Sequence, residues 1–146
     1  MTDMLENCIF CKIVKGDIPS SVVYEDDEFL CFMDINPVSA GHCLVIPKAH
    51  SSDFGKMSPL DASMLMSLVH KIAPAIAAGV GTSSYNIISN IGAESGQEVF
   101  HTHFHITPRK EKTKTPWKQV PYINKEEQQK VLEAIKMSIS RSFSCL

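Results

Sequence analysis

The sequence predicts an α+β domain built on an antiparallel sheet, with one long helix and a C-terminal helix. Three observations predict it. The elements read α-β-β-β-α-β-β-α, the early turns are of hairpin length, and only two stretches carry an extended helical period. A doubly wound sheet needs a helix between most strands. The 146 residues suit one domain over 1–146, and 44% hydrophobic against 21% charged residues suits a core that needs no disulfides.

Each element has its own signal. Cys8 to Lys15 (CIFCKIVK) has helix-like spacing, and Gly16-Asp17-Ile18-Pro19 stops it. Ser21–Glu25 reads as a strand, Glu25–Glu28 as a charged turn, and Phe29–Met33 as a short buried strand. A loop runs from Asn36-Pro37 to Gly41, and His42–Pro47 is the next strand. Ser58-Pro59-Leu60-Asp61 starts a helix: serine caps, proline suits the first helical position, and Asp61 suits the positive end of the helix dipole. Leu60, Met64, Leu65, Leu68, Val69, Ile72 and Ile76 give it one apolar face. Pro74 is expected to kink or split this helix, and Gly79 and Gly81 to end it. Tyr85–Ser89 is a strand, Gly92–Gly96 a loop, and Phe100–Pro108 a strand with strict alternation. Lys110–Thr115 is polar and expected to be loose, and Trp117 serves a pocket, an interface or an anchor. A last helix runs from Asn124 to about Arg141, with Val131, Leu132, Ile135 and Ile139 on the side that docks on the body or on a partner subunit.

Composition excludes some roles. A formal charge of −2 is too balanced for coating a polyanion, so nucleic acid is not the expected partner. No apolar run approaches the roughly 20 residues of a membrane span, and no membrane partner is expected. The acidic MTDMLENC start resembles neither a secretory signal nor a transit peptide, so the expected address is cytosolic, with the nucleus open. Five cysteines are an odd number in such a chain and argue against a disulfide framework. Cys145-Leu146 is too short for a prenylation box, and Cys31, Cys43 and Cys145 show no partner pattern.

The histidines carry the chemical signal. There are six: His42, His50, His70, His101, His103 and His105. His70 sits alone on the long helix and needs no special role. The run His101-Thr102-His103-Phe104-His105 places three imidazoles on one side of a strand, about 7 Å apart from i to i+2. Thr102, Phe104 and Ile106 then face the other way. Just before them, Gly92-Ala93-Glu94-Ser95-Gly96 can turn its backbone N–H groups toward an anion. A neutral imidazole is a nucleophile toward phosphorus near pH 7, and its neighbours can donate to phosphoryl oxygens or protonate the leaving group. Separately, Cys8-x-x-Cys11 has the spacing of half a zinc site, although two buried thiols on a helix fit the same pattern.

His101-Thr102-His103-Phe104-His105-Ile106-Thr107 resembles the signature of the histidine triad (HIT) superfamily of nucleotidyl hydrolases and transferases. Cys8–Ile13, Asp34–Pro37, Gly41–Lys48 and Gly96–Phe100 resemble family segments too, so the resemblance covers about Cys8 to Arg109 and leaves 110–146 as a C-terminal extension. The branch it most resembles is the protein kinase C inhibitor-like, Hint-type group in its bacterial form. The resemblance implies that His103 attacks the α-phosphorus, that His105 and His42 assist at the phosphate, and that His101 orients the cluster. It also implies that Asp34 binds ribose hydroxyls, that Asn90, Gln97 and the Val99 backbone lie at the phosphate, and that Ile35, Phe10 and Ile13 line the base pocket. Glu98 stands where several members carry a hydroxyl. Some members with this cysteine pair hold a structural zinc, and the resemblance implies Cys8, Cys11, His50 and His101 as its ligands here.

The implied activity is hydrolysis that frees a nucleoside monophosphate, AMP first, from phosphoramidates or adenylates through a nucleotidyl-histidine. No cofactor is implied for the chemistry. Alternatives are dinucleoside polyphosphate hydrolysis, a nucleotide-binding adaptor, or a zinc protein whose histidines serve only metal. The implied partners are a purine nucleotide and a second copy in a homodimer.

Overall fold

The computed structural model describes residues 5–144, so Cys145 lies outside the described residues. Cys8 caps helix α1 (Ile9–Lys15), its Sγ accepting the N–H of Cys11, and Gly16 ends the helix at φ 86°, where only glycine avoids a Cβ clash. Then come β1 (Val22–Glu25), β2 (Phe29–Met33), β3 (Cys43–Pro47), the long helix α2 (Pro59–Gly79), β4 (Tyr85–Ile88), β5 (Phe104–Pro108) and α3 (Lys125–Ser144). The strands form one sheet in the order β1-β2-β3-β5-β4, every pair antiparallel. This is the α+β architecture that the element order predicts.

The triad strand is shorter than its alternation suggests. β5 begins at Phe104, and His101, Thr102 and His103 form an extended lead-in outside the ladder. The reason lies in their partners. The pairing with β3 stops at Val45↔Phe104. Beyond it, Thr102 N–H donates to the Ser51 carbonyl at 2.6 Å, in the loop after β3. Ser21, His42 and Ser89 likewise lie one residue outside their strands.

Pro74 does not split α2, which runs unbroken from Pro59 to Gly79. Pro74 and His70, the residue whose carbonyl loses its donor, are both exposed, so water can replace the missing bond. The buried face is Leu65, Leu68, Val69, Ile72, Ala73, Ala75, Ile76 and Ala77, whereas Leu60 is 69% exposed and Met64 only partly covered. α2 has the length and apolar content of a membrane span, but its apolar face packs inside the fold.

Two apolar layers flank the sheet. On one side Cys31, Met33, Cys43, Val45, Phe104 and Ile106 pack against α2 and against Ile135 and Ile139 of α3. α3 thus docks on the body, and its start is secured by the Asn124 carboxamide accepting Glu127 N–H at 2.8 Å. α2 and α3 approach closely at Gly79, where a Cβ would lie 2.9 Å from Ile135 Cα. Gly79→Ala is therefore expected to lower stability by about 1–3 kcal/mol. Urea unfolding checks it, and an unchanged midpoint would show that α3 yields without cost.

On the other side, Leu30, Phe32, Leu44 and Ile46 pack under Phe10 and Cys11 of α1. α1 has only seven residues and covers this face in part. Register places His105 opposite Leu44 and Ile88, on the same face and beyond the cover of α1. His105 lies in that uncovered strip, and the more deeply buried His103 borders it.

Candidate active site

Buried hydrogen bonds set the tautomers of the histidines. His103 Nδ1 lies 2.7 Å from the His101 carbonyl. A carbonyl can only accept, so Nδ1 carries the proton and Nε2 keeps its lone pair. Val38 N–H donates to His42 Nδ1 at 3.1 Å, which leaves the proton of neutral His42 on Nε2. That Nε2 lies 2.9 Å from His105 Nδ1 and donates to it, so His105 carries its own proton on Nε2. The His103 and His105 ring centroids are 5.1 Å apart. A lone pair and an N–H donor therefore stand side by side.

Asp34 completes this corner. Its Oδ2 is 3.5 Å from His42 Nε2, and its Oδ1 accepts Asn36 N–H at 2.8 Å, closing the turn before Pro37. Asp34, His42 and His105 have the spacing of metal ligands. The Val38 bond opposes that use, because it keeps a proton on the His42 nitrogen that a metal would need.

Burial keeps these imidazoles neutral. It pushes His42 down to about 4, with the Arg109 charge adding to the effect. It pushes His105 down to about 4, helped by His103 and His42 and opposed by Asp34. It also lowers His103, against the pull of the His101 carbonyl and Asp34. Below the unfolded value of 6.5 the unfolded chain binds protons that folded His42 and His105 refuse. Stability is thus held above pH 6.5 and falls toward pH 4, at about 1.4 kcal/mol per pH unit for each proton refused. Urea midpoints between pH 7 and 5 should decline, and His105→Asn should lessen the slope; a flat profile would contradict the burial argument.

The glycine loop is built from within. Gly92 and Gly96, at φ 91° and 104°, bracket a short 3₁₀ turn over Ala93–Ser95. Gln97 is buried, and its Nε2 donates to the carbonyls of Ser52 (2.7 Å) and Val99 (3.1 Å) while its Oε1 accepts Gly92 N–H (2.9 Å). Its side chain thus shapes the loop. Among the described residues no protein acceptor takes the N–H of Glu98 or Val99. The Glu98 side chain is exposed, and Asn90 packs beside Gly96, where a Cβ would lie 3.6 Å from its Nδ2. Phe10 meets both His101 and His103 edge to face, at 5.9 and 5.2 Å. Ile13 packs at the margin of the α1 layer, and Ile35 is 82% exposed.

His101 turns the other way. Its Nε2 donates to the Pro47 carbonyl at 2.8 Å, so Nδ1 presents a lone pair. That nitrogen lies 3.4 Å from Cys8 Sγ, 3.6 Å from Cys11 Sγ and 3.2 Å from His50 Nδ1, with Cys11 Sγ 3.4 Å from His50 Nδ1. Tetrahedral zinc, with bonds of roughly 2.3 Å to sulfur and 2.0–2.1 Å to nitrogen, sets its ligands about 3.3–3.8 Å apart. Cys8, Cys11, His50 and His101 therefore fit a metal ion. The His101 ring faces this cluster, and it is the backbone carbonyl of His101 that reaches His103.

Arg109 was not among the residues singled out in the sequence. It follows His105 and Thr107 at the same alternation, and that spacing was the available signal. Its Nε donates to Asn86 Oδ1 at 2.9 Å and an Nη to the Pro116 carbonyl at 2.6 Å. Trp117 lies beside it, with the guanidinium carbon 5.7 Å from the ring centroid.

This chain is similar in sequence and fold to known proteins. The Adenylylsulfatase HINT3 of Arabidopsis thaliana is 45% identical over 106 residues, 73% of this chain and 54% of that one, so the chain spans about half of that relative. The Adenosine 5'-monophosphoramidase hnt1 of Schizosaccharomyces pombe is 45% identical over 103 residues, 70% of this chain and 74% of that one. The crystal structure of a zinc-bound histidine triad family protein from Mycobacterium smegmatis superposes with a TM-score of 0.84 at 32% identity, covering 96% of this chain and 98% of that one. Residues 15–112 match the HIT domain, a stretch that starts after the cysteine pair and takes in all three triad histidines. The chain belongs to the HIT domain family.

Proposed function

We propose that this chain, a HIT-type nucleotide hydrolase, frees a nucleoside 5′-monophosphate, AMP in the first instance, from phosphoramidates or adenylates through a nucleotidyl-histidine on His103. The observation that carries the reading is the His101 carbonyl, which holds the proton of His103 on Nδ1 and leaves Nε2 as a lone pair on a ring beside His105. That lone pair attacks the α-phosphorus. The Nε2–P bond forms as the bond from phosphorus to the leaving group breaks, and a leaving amine takes its proton from solvent. Water then cleaves the P–N bond, releasing the monophosphate and restoring His103.

Other groups support the charge that builds on the phosphoryl oxygens. His105 offers Nε2–H, held in that tautomer by His42. The N–H groups of Glu98 and Val99 extend the same role, in a loop that Gln97 shapes. Asp34 takes the ribose hydroxyls and Ile35 and Phe10 the base, with Ile13 behind them. A zinc ion on Cys8, Cys11, His50 and His101 has a structural role, tying α1 to the lead-in of β5.

The relatives named for adenylyl sulfate and AMP phosphoramidate chemistry support the reaction class. Release of AMP from adenosine 5′-phosphoramidate at neutral pH, followed by chromatography, tests it. No release from folded protein, with that substrate or with an adenylate, would sink the reading.

A further inference from the structure

Four rings form a row that runs from the α1 layer out to the uncovered strip. Phe10 meets His103 at 5.2 Å, His103 meets His105 at 5.1 Å, and His105 meets Trp117 at 6.4 Å between centroids. Phe10 marks the nucleoside end under the reading above, so Trp117 stands at the opposite end, where the leaving group departs. Trp117 is 46% exposed, so packing in the core does not explain its place.

What holds it there is a strap. Residues 110–123 contain no helix or strand, and they run from the end of β5 to the loop between β2 and β3. The Pro116 carbonyl accepts from Arg109, Val120 N–H donates to the Pro37 carbonyl at 2.7 Å, and the Tyr122 hydroxyl accepts Gly41 N–H at 3.0 Å. Arg109 is the anchor next to Trp117. It is itself fixed from two sides, by Asn86 of β4 through Nε and by Thr82, whose hydroxyl donates to the Arg109 carbonyl at 2.8 Å. Thr107, beside it on β5, also donates to Asn86, at 3.4 Å. A planar guanidinium can bond Asn86 and Pro116 and face an indole at once; a lysine ammonium at the same place cannot.

We propose that Arg109 is a positioning residue that pins the strap 110–123 across the strip, so that Trp117 walls the leaving-group end of the histidine site and limits the size of leaving group accepted. The size limit rests on the hydrolase reading; the pinning does not.

Trp117 is the only tryptophan in the chain, so its emission reports the strap alone. The proteins to compare are wild type, Arg109→Lys, Trp117→Ala and Asn86→Ala, the last removing one exposed partner of Arg109 with little risk to folding. Arg109→Lys and Asn86→Ala should shift Trp117 emission to the red and raise its quenching by acrylamide, with the far-ultraviolet circular dichroism unchanged. AMP release is then followed from adenosine 5′-phosphoramidate and from its N-cyclohexyl derivative. In Arg109→Lys and Trp117→Ala, kcat/KM for the bulky substrate relative to the small one should rise about fivefold or more, a change in the range that pocket-wall contacts produce. Unchanged emission and quenching in both Arg109→Lys and Asn86→Ala would overturn the pinning. An unchanged substrate ratio in active variants with a released Trp117 would overturn the size limit alone. Wild-type protein that hydrolyses neither substrate would overturn the hydrolase reading and the size limit with it, while the fluorescence still decides the pinning.

Discussion

Replacing His103 by alanine should cut AMP release from adenosine 5′-phosphoramidate by about 10³-fold or more, because loss of a covalent nucleophile removes the route rather than weakening a contact. The fold should survive. His103 belongs to the lead-in of β5, makes its side-chain bond to a neighbouring carbonyl two residues away, and borders the uncovered strip. Removing this buried ring should lower the unfolding free energy by no more than about 3 kcal/mol, and the folded variant should still bind AMP. His105→Ala should cost less than His103→Ala, since it removes a hydrogen-bond donor and not the bond-forming atom. Rapid-quench sampling of the wild type should also trap phosphorus on protein, acid-labile as a P–N bond is, and none on His103→Ala. Equal rates in wild type and His103→Ala would end the nucleotidyl-histidine reading. Equal losses in His103→Ala and His105→Ala, with no trapped intermediate, would favour direct attack by water.

The second large effect concerns the metal. Protein reconstituted with zinc should hold about one ion per chain, and chelation should lower the unfolding free energy by about 4 kcal/mol at a zinc excess of a thousandfold over Kd. Cys8→Ser should lose both the ion and that stabilisation. Losing a buried thiol has a packing cost of its own, so the decisive comparison is made twice: the wild type and Cys8→Ser should differ strongly with zinc present and little under chelation. The geometry explains why binding is coupled to folding. Cys8 and Cys11 belong to α1, His50 to the loop after β3 and His101 to the lead-in of β5, so one ion closes contacts across more than 90 residues of chain. Zinc content near zero after reconstitution would show that the four groups serve only as a buried thiol–imidazole cluster.

How much of this was legible in the sequence depends on how far apart the interacting residues lie in the chain. Ser58 accepting Asp61 N–H at 3.1 Å, Gly16 at its left-handed φ, and Asn124 capping α3 are events within a few residues, and residue type announces them. Alternation along β5 was readable for the same reason. Its start was not, because Thr102 takes its acceptor from Ser51 and no local signal marks that exchange. Pro74 shows a different limit: the cost of a proline inside a helix falls where water reaches the freed carbonyl, and exposure is decided by what packs against α2.

The same division runs through the site. The residue types, their spacing and the family resemblance named His42, His101, His103 and His105 and paired Cys8 with Cys11, since side chains needed for chemistry are written into the chain one by one. Which nitrogen of each histidine holds the proton was not written there. That follows from Val38 N–H, the Pro47 carbonyl and the His101 carbonyl, backbone groups that every sequence has and only a fold can aim. Nor could the sequence show that Gln97 shapes the glycine loop through Ser52, or that Arg109 reaches Pro116 and so brings Trp117 to His105. By itself the sequence determined the order of the elements, their caps and the chemical groups available, because these depend on near neighbours. The tertiary structure decided the tautomers, the gathering of the four metal-type ligands and the wall at Trp117, because each depends on distances between residues that only folding brings together.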